Sequence, residues 1–148
     1  MLNAARKEVS HSNGNVFFVK KDFGKRSWVN SVVDFGKFDV IVTGHAIHHQ
    51  TDTKKKEIYK DIFDLLAPRG LFLNSEHVAY PSKWLEKAFD EYFIDSLVKY
   101  HRANDPKRKR SGIAMEYYSS PGSEADILAP VDTQCRWLRK IGFVEVDC

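Results

Sequence analysis

Phe38-Asp39-Val40-Ile41-Val42-Thr43-Gly44-His45-Ala46-Ile47-His48-His49 and, after a charged interval, Leu65-Leu66-Ala67-Pro68-Arg69-Gly70-Leu71-Phe72-Leu73-Asn74-Ser75-Glu76-His77-Val78 are the segments on which the fold turns. Each holds a short apolar run, Val40-Ile41-Val42 and Leu71-Phe72-Leu73, that ends in polar residues. Between them Ile58, Ile62, Leu65 and Leu66 recur at helical spacing, with Asp52 or Thr53 as N-cap and Pro68 as the stop. Strand, helix, strand is the pattern of a parallel βαβ unit. It collects polar side chains at the carboxyl ends of two neighbouring strands, the edge at which open α/β sheets take ligands. No glycine-rich phosphate or nucleotide loop precedes the unit in the chain.

Outward from this unit, strands and helices continue to alternate. Val16-Phe17-Phe18-Val19 is a continuous apolar run behind a Ser12-Asn13-Gly14-Asn15 turn, which predicts a strand covered on both faces. Ser27 is placed to cap a short helix through about Val33 that Gly36 closes, with Trp28, Val32 and Phe35 on its apolar side. A long helix is expected from about Ser82 to Tyr100, with Leu85, Ala88, Phe89, Phe93 and Leu97 as its stripe and Trp84 in the core. The polar stretch 104–129, interrupted by Lys107-Arg108-Lys109-Arg110, reads as an insertion or lid. A helix then starts near Pro130, with Val131, Cys135, Leu138 and Ile141 inward and Gly142 as its C′ residue. Phe143-Val144-Glu145-Val146 opens a last strand.

With 148 residues the chain is read as one domain, 1–148. Its 43% hydrophobic and 29% charged residues are the balance of a chain that buries a core. A net charge of +3 is too small to require a nucleic-acid partner. The run 107–110 lacks interleaved aromatic residues on which bases could stack, so nucleic-acid binding is not expected. Cys135 and Cys148 form neither a metal spacing nor a disulfide framework, and the simpler setting is reducing and cytoplasmic. No apolar run approaches the roughly 18 residues that span a bilayer, so no membrane partner is expected.

Phe38 to His49, Leu65 to Val78 and Trp137 to Cys148 together resemble the class I S-adenosylmethionine-dependent methyltransferases, of the type acting on small molecules. The resemblance spans nearly the whole chain. It implies an α/β fold with a Rossmann-like methyltransferase sheet, helices on both faces, and S-adenosylmethionine as cofactor. It also implies that strands one and two, with their glycine-rich loop and ribose-binding acid, belong before residue 1, and a final strand after Cys148. The chain is therefore expected to be a partial methyltransferase domain, with strands left unpaired unless another chain completes the sheet.

By the resemblance, Asp22 accepts the adenine amino group and Phe23 lies against the base, with a helix or turn cap as the other reading of Asp22, while Thr43, Gly44, His45 and His49 border the cofactor. His45 is the candidate general base, since a histidine titrates near neutral pH. Glu76 and His77 are expected on the substrate side, with a loop-capping carboxylate as the other reading of Glu76. His45, His48 and His49 stand at i, i+3 and i+4, a spacing that suits a transition metal, with Glu76 and His77 as further donors. The pattern carries its His-His pair without a metal, so none is expected. One of His48 or His49 is instead expected to bond backbone through a ring nitrogen. Arg69 stands where such chains carry a glycine, and an altered turn is the simpler expectation than an arginine at positive φ. Two functions follow: methyl transfer to a small-molecule acceptor within an intact enzyme, or an inactive fragment or assembly piece that needs a homo-oligomeric or complementing chain.

Overall fold

The computed structural model of the chain describes residues 5, 6, 9, 15–119 and 126–148. Its centre is a parallel pair of strands, β1 (Phe38–Gly44) and β2 (Leu66–Ser75), joined through helix α1 (Asp52–Leu65). Helices α2 (Lys83–Asn104), α3 (Arg110–Tyr118) and α4 (Val131–Ile141) follow, so the fold is α/β. Val40, Ile41 and Val42 pair with Leu71, Phe72 and Leu73, and the ladder runs on through Thr43 with Asn74 and Gly44 with Ser75. The His45 N–H extends it by donating to the Ser75 carbonyl at 2.9 Å. Residues that leave the two strands are thereby held side by side.

The amino end of β2 is irregular. Phe38 pairs with Leu66 and Val40 with Leu71, so extra β2 residues bulge around Pro68-Arg69-Gly70. Arg69 does adopt the left-handed conformation, with φ of 67°, against the expected change of turn. The next residue explains the tightness. A Cβ on Gly70 would lie 2.9 Å from the Ala67 carbonyl oxygen and 3.0 Å from that of Phe38.

Helix α1 is capped one residue before the expected Asp52 or Thr53, by Thr51, whose hydroxyl accepts the Lys54 N–H at 3.3 Å. Its Ile58, Tyr59 and Ile62 join Ile47 in a fully buried cluster. Ile41 and Phe72 of the sheet pack on that cluster, as do Trp137, Leu138, Ile141 and Phe143 of the carboxyl-terminal segment. Helix α4 stops at Gly142, whose φ of 124° is one that side chains rarely adopt. Val40, Val42, Leu71 and Leu73 occupy the opposite sheet face and are all about half exposed or more, Val42 at 65%. Helices on both faces were expected; among the described residues they cover one.

Other expectations also change. Residues 16–19 form no strand, and Val16, Phe17 and Val19 are exposed. A strand needs a ladder partner, and the two described strands pair only with each other. Phe143 to Val146 is likewise not a strand. Phe143 packs on Phe63 and Phe72, while Glu145 turns to a φ of 52°. The segment after Lys25 is 3₁₀ rather than α, Arg26–Ser31 and Val33–Phe35, without a side-chain cap from Ser27. Gly36 closes it as expected. The Ser12 to Gly14 part of the expected turn lies outside the described residues.

Helix α2 begins at its expected Ser82 cap, whose hydroxyl accepts the Leu85 N–H at 3.2 Å, and runs past Tyr100 to Asn104. Its buried line is Ile94 and Val98, which meet Ile113 of α3. Trp84, Phe89 and Phe93 are not core residues; Trp84 is 77% exposed. Part of the expected lid is therefore α3, docked on α2. Arg110 pairs with Asp95 and Glu91, and Arg108 with Glu116, so half of the basic run ties this hairpin together.

Candidate functional site

At the carboxyl end of β2, Glu76 turns its carboxylate across to the loop that leaves β1. Oε1 accepts the Ala46 N–H at 3.1 Å and the Ile47 N–H at 2.8 Å, and Oε2 accepts the His48 N–H at 3.3 Å. Oε2 also meets Nδ1 of the buried His48 ring. Burial pushes the Glu76 carboxyl up, but the Ile47 N–H, the His48 ring and the Ala46 N–H together outweigh it and hold the group below the usual glutamate range. With its side chain 3% exposed, Glu76 shapes the histidine loop from behind. The expected histidine bond to backbone is replaced by this bond to a carboxylate.

The segment 126–129 closes the loop from its other side. The Ile127 N–H donates to the His48 carbonyl at 2.9 Å. Lys55, buried in α1, donates from Nζ to the Ile127 carbonyl and to Asp52 Oδ1 at 3.2 Å. Gln134 of α4 donates to the Ala129 carbonyl at 2.9 Å and accepts the Tyr59 hydroxyl at 2.5 Å. Burial, with the charge of Glu76 next, pushes the Tyr59 hydroxyl above its usual range, so it stays a neutral donor. Asn74 Nδ2 donates to that hydroxyl at 3.4 Å, and its Oδ1 accepts the Thr43 hydroxyl at 2.5 Å. One hydrogen-bonded chain thus joins β1, β2, α1, α4 and the returning segment.

This stitching sets Asp126 against the histidines. Its Oδ1 lies 3.1 Å from His49 Nδ1 and 3.4 Å from His48 Nε2, and its Oδ2 lies 3.5 Å from His77 Nδ1. These groups open into a cleft of about 620 Å³. His45, His49 and His77 line it together with Tyr80, Asp90 and Phe93 of the segment that follows β2. Tyr117 and Tyr118 of α3 also line it. The Tyr117 hydroxyl donates to Asp90 at 2.7 Å; burial first, then this bond, raises its pKa.

No protein-family model matches the chain, and no curated protein matches it.

The predicted site residues divide into four sets. His45, His49 and His77 come together in the cleft. Thr43 and Glu76 lie behind it as parts of the bonded scaffold, Thr43 being buried. Asp22 and Phe23 are outside its lining: Asp22 Oδ1 accepts the Gly24 N–H at 2.9 Å, and the Phe23 ring stacks on Trp28 at 4.9 Å. Their turn still borders the same loop, since a Cβ on Gly24 would be 3.5 Å from Gln50 Oε1. Gly44 ends β1 with open space where its Cβ would be. Sequence reasoning missed Asp126, which sits in a polar stretch far along the chain from the histidines. Its only local signal is the apolar Ile127-Leu128-Ala129 run behind it.

Proposed function

We propose that the chain carries part of an S-adenosylmethionine-dependent methyltransferase site, built on a Rossmann-like sheet and acting on a small-molecule acceptor in the cytoplasm. The observation that supports this most is the parallel β1–α1–β2 unit, which gathers His45, His49 and His77 at its carboxyl edge beside a cleft of small-molecule size. One further feature of the cleft supports such a cofactor. Asp90 and the rings of Tyr80 and Phe93 give the cleft the negative and π-rich groups that attract a cation such as a sulfonium.

The cofactor, when bound, supplies an electrophilic methyl group; the protein supplies alignment and proton handling. His45, exposed beyond β1 at a φ of 49°, is the residue assigned to take a proton from the acceptor. Thr43 and Glu76 hold the strand ends and loop rather than touch either substrate. Calorimetric titration of the isolated chain with S-adenosylhomocysteine is expected to show saturable micromolar binding that Asp22→Ala weakens. Absence of binding overturns the reading for this chain.

A second reading, that the chain is an assembly piece, is favoured by the bare apolar sheet face of Val40, Val42, Leu71 and Leu73. It predicts no binding by the isolated chain and recovery when a polypeptide carrying a glycine-rich strand–loop–helix is added. Homo-oligomerisation through that face is the other form it takes.

A further inference from the structure

The loop after β1 and the returning segment place three side-chain donors of mixed nitrogen and oxygen type around one point. His48 Nε2, His49 Nδ1 and Asp126 Oδ1 all lie within 4.8 Å of one another. Two donors each about 2.1 Å from a shared ion at a tetrahedral angle stand about 3.4 Å apart. The observed separations of 3.1 Å and 3.4 Å from Asp126 Oδ1 match that spacing.

The hydrogen bonding around the cluster points the same way. Asp126 Oδ1 is buried, yet among the described residues it has no hydrogen-bond partner, although two imidazole nitrogens lie close by. A buried carboxylate oxygen without a donor is costly, and a cation removes that cost. The tautomer of His48 follows from its neighbour. A carboxylate that accepts three backbone N–H groups is an acceptor toward Nδ1, so Nδ1 carries the proton and Nε2 presents a lone pair to Asp126. A histidine held by a carboxylate on one nitrogen and offered through the other is the usual outer-shell arrangement of a metal ligand.

We propose that His48, His49 and Asp126 bind one divalent transition-metal ion of the zinc type at the floor of the cleft, with Glu76 as the positioning residue of His48. His77, whose Nδ1 is 3.5 Å from Asp126 Oδ2, is the nearest further donor. Two imidazoles and one carboxylate suit zinc or iron better than calcium or magnesium. Three protein donors leave a coordination position open toward the cleft, as catalytic rather than purely structural sites do. The site stands on its own geometry, whether or not the cleft takes S-adenosylmethionine.

The test uses the full chain without an affinity tag, stripped with a chelator and titrated with Zn²⁺ in the absence of any cofactor. One equivalent is expected to bind. His49→Ala and Asp126→Asn, each checked for folding by circular dichroism, are expected to weaken binding by more than about 100-fold. Glu76→Gln is expected to weaken it about 10–100-fold, as outer-shell changes do, and to shift the visible absorption of the Co²⁺-loaded chain. His101→Ala, at a histidine outside the cluster, is expected to leave affinity unchanged. Because a variant can fail to fold, ring signals of the wild-type histidines are followed by NMR as Zn²⁺ is added. Those of His48 and His49 are expected to move and that of His101 to stay. No saturable binding by the folded wild-type chain, or shifts that spare His48 and His49, overturns the proposal.

Discussion

The β1–α1–β2 unit and the α2–α3 hairpin are built from comparably apolar stretches and are buried to very different extents. In the first, the sheet, α1 and α4 converge, so that Ile47, Ile58, Tyr59 and Ile62 leave water entirely. In the second, two helices share a single seam that buries Ile94, Val98 and Ile113 and leaves Trp84 and Tyr92 more than 70% exposed. A side chain is buried by the number of elements that reach it, and hydrophobicity only makes that arrangement favourable. The cleft is lined from both regions, by histidines of the loops after β1 and β2 and by aromatic residues of α2 and α3.

The largest way to test that contrast is at Glu76. Glu76→Ala leaves the Ala46 and Ile47 N–H groups and the His48 ring without their acceptor, and at about 1–3 kcal/mol for each buried donor left unsatisfied the expected loss is about 3–5 kcal/mol by urea unfolding. The same group sets a pH dependence. Its folded pKa lies below the unfolded one, so its stabilisation is complete above the usual glutamate range and is lost as pH falls through the folded value. The stability gap between wild type and Glu76→Gln should therefore be constant near neutrality and shrink below about pH 4.3. A gap that persists in acid would show that the carboxylate charge is not what holds the loop.

Next in size is a pair of core truncations. Ile62→Ala is expected to cost about 2–5 kcal/mol and to lower the global midpoint of unfolding. Ile94→Ala removes an equally buried side chain, but from the single seam. Its expected signature is faster amide exchange confined to 83–118, with α1 still protected. Uniform loss of protection in both variants would mean that the two regions unfold as one unit. The smallest effect belongs to Trp84→Ala, which should stay within about 0.5 kcal/mol of wild type despite the size of the residue removed.

The βαβ unit was legible because its signals are local. Val40 to Val42 and Leu71 to Leu73 are short apolar runs, and the helix between them has its own period and stop. The strands expected at 16–19 and 143–146 have the same apolar character and failed, since a strand exists only where a neighbour supplies its ladder. For α2 the period was right and the inward face only partly so: of Leu85, Ala88, Phe89, Phe93 and Leu97, Leu97 packs against the α3 seam and Phe93 meets Tyr117, while the buried positions are Ile94 and Val98. The candidate site divides in the same manner. His45, His49 and His77 could be named because they follow strands, whereas nothing local joins Asp126 to them.

By itself, then, the sequence determined the parallel α/β unit, the Ser82 cap, the glycine stops at Gly36 and Gly142, and the edge at which polar groups gather. Those features depend on backbone preferences and side-chain period, which act over a few residues. Only the tertiary structure decided which sheet face is covered, that Glu76 holds the histidine loop from behind, and that Asp126 completes the cluster. Each of these depends on one chain segment meeting another far along the sequence. Such meetings are selected by the packing and hydrogen-bond satisfaction of the whole chain, and no local pattern encodes them.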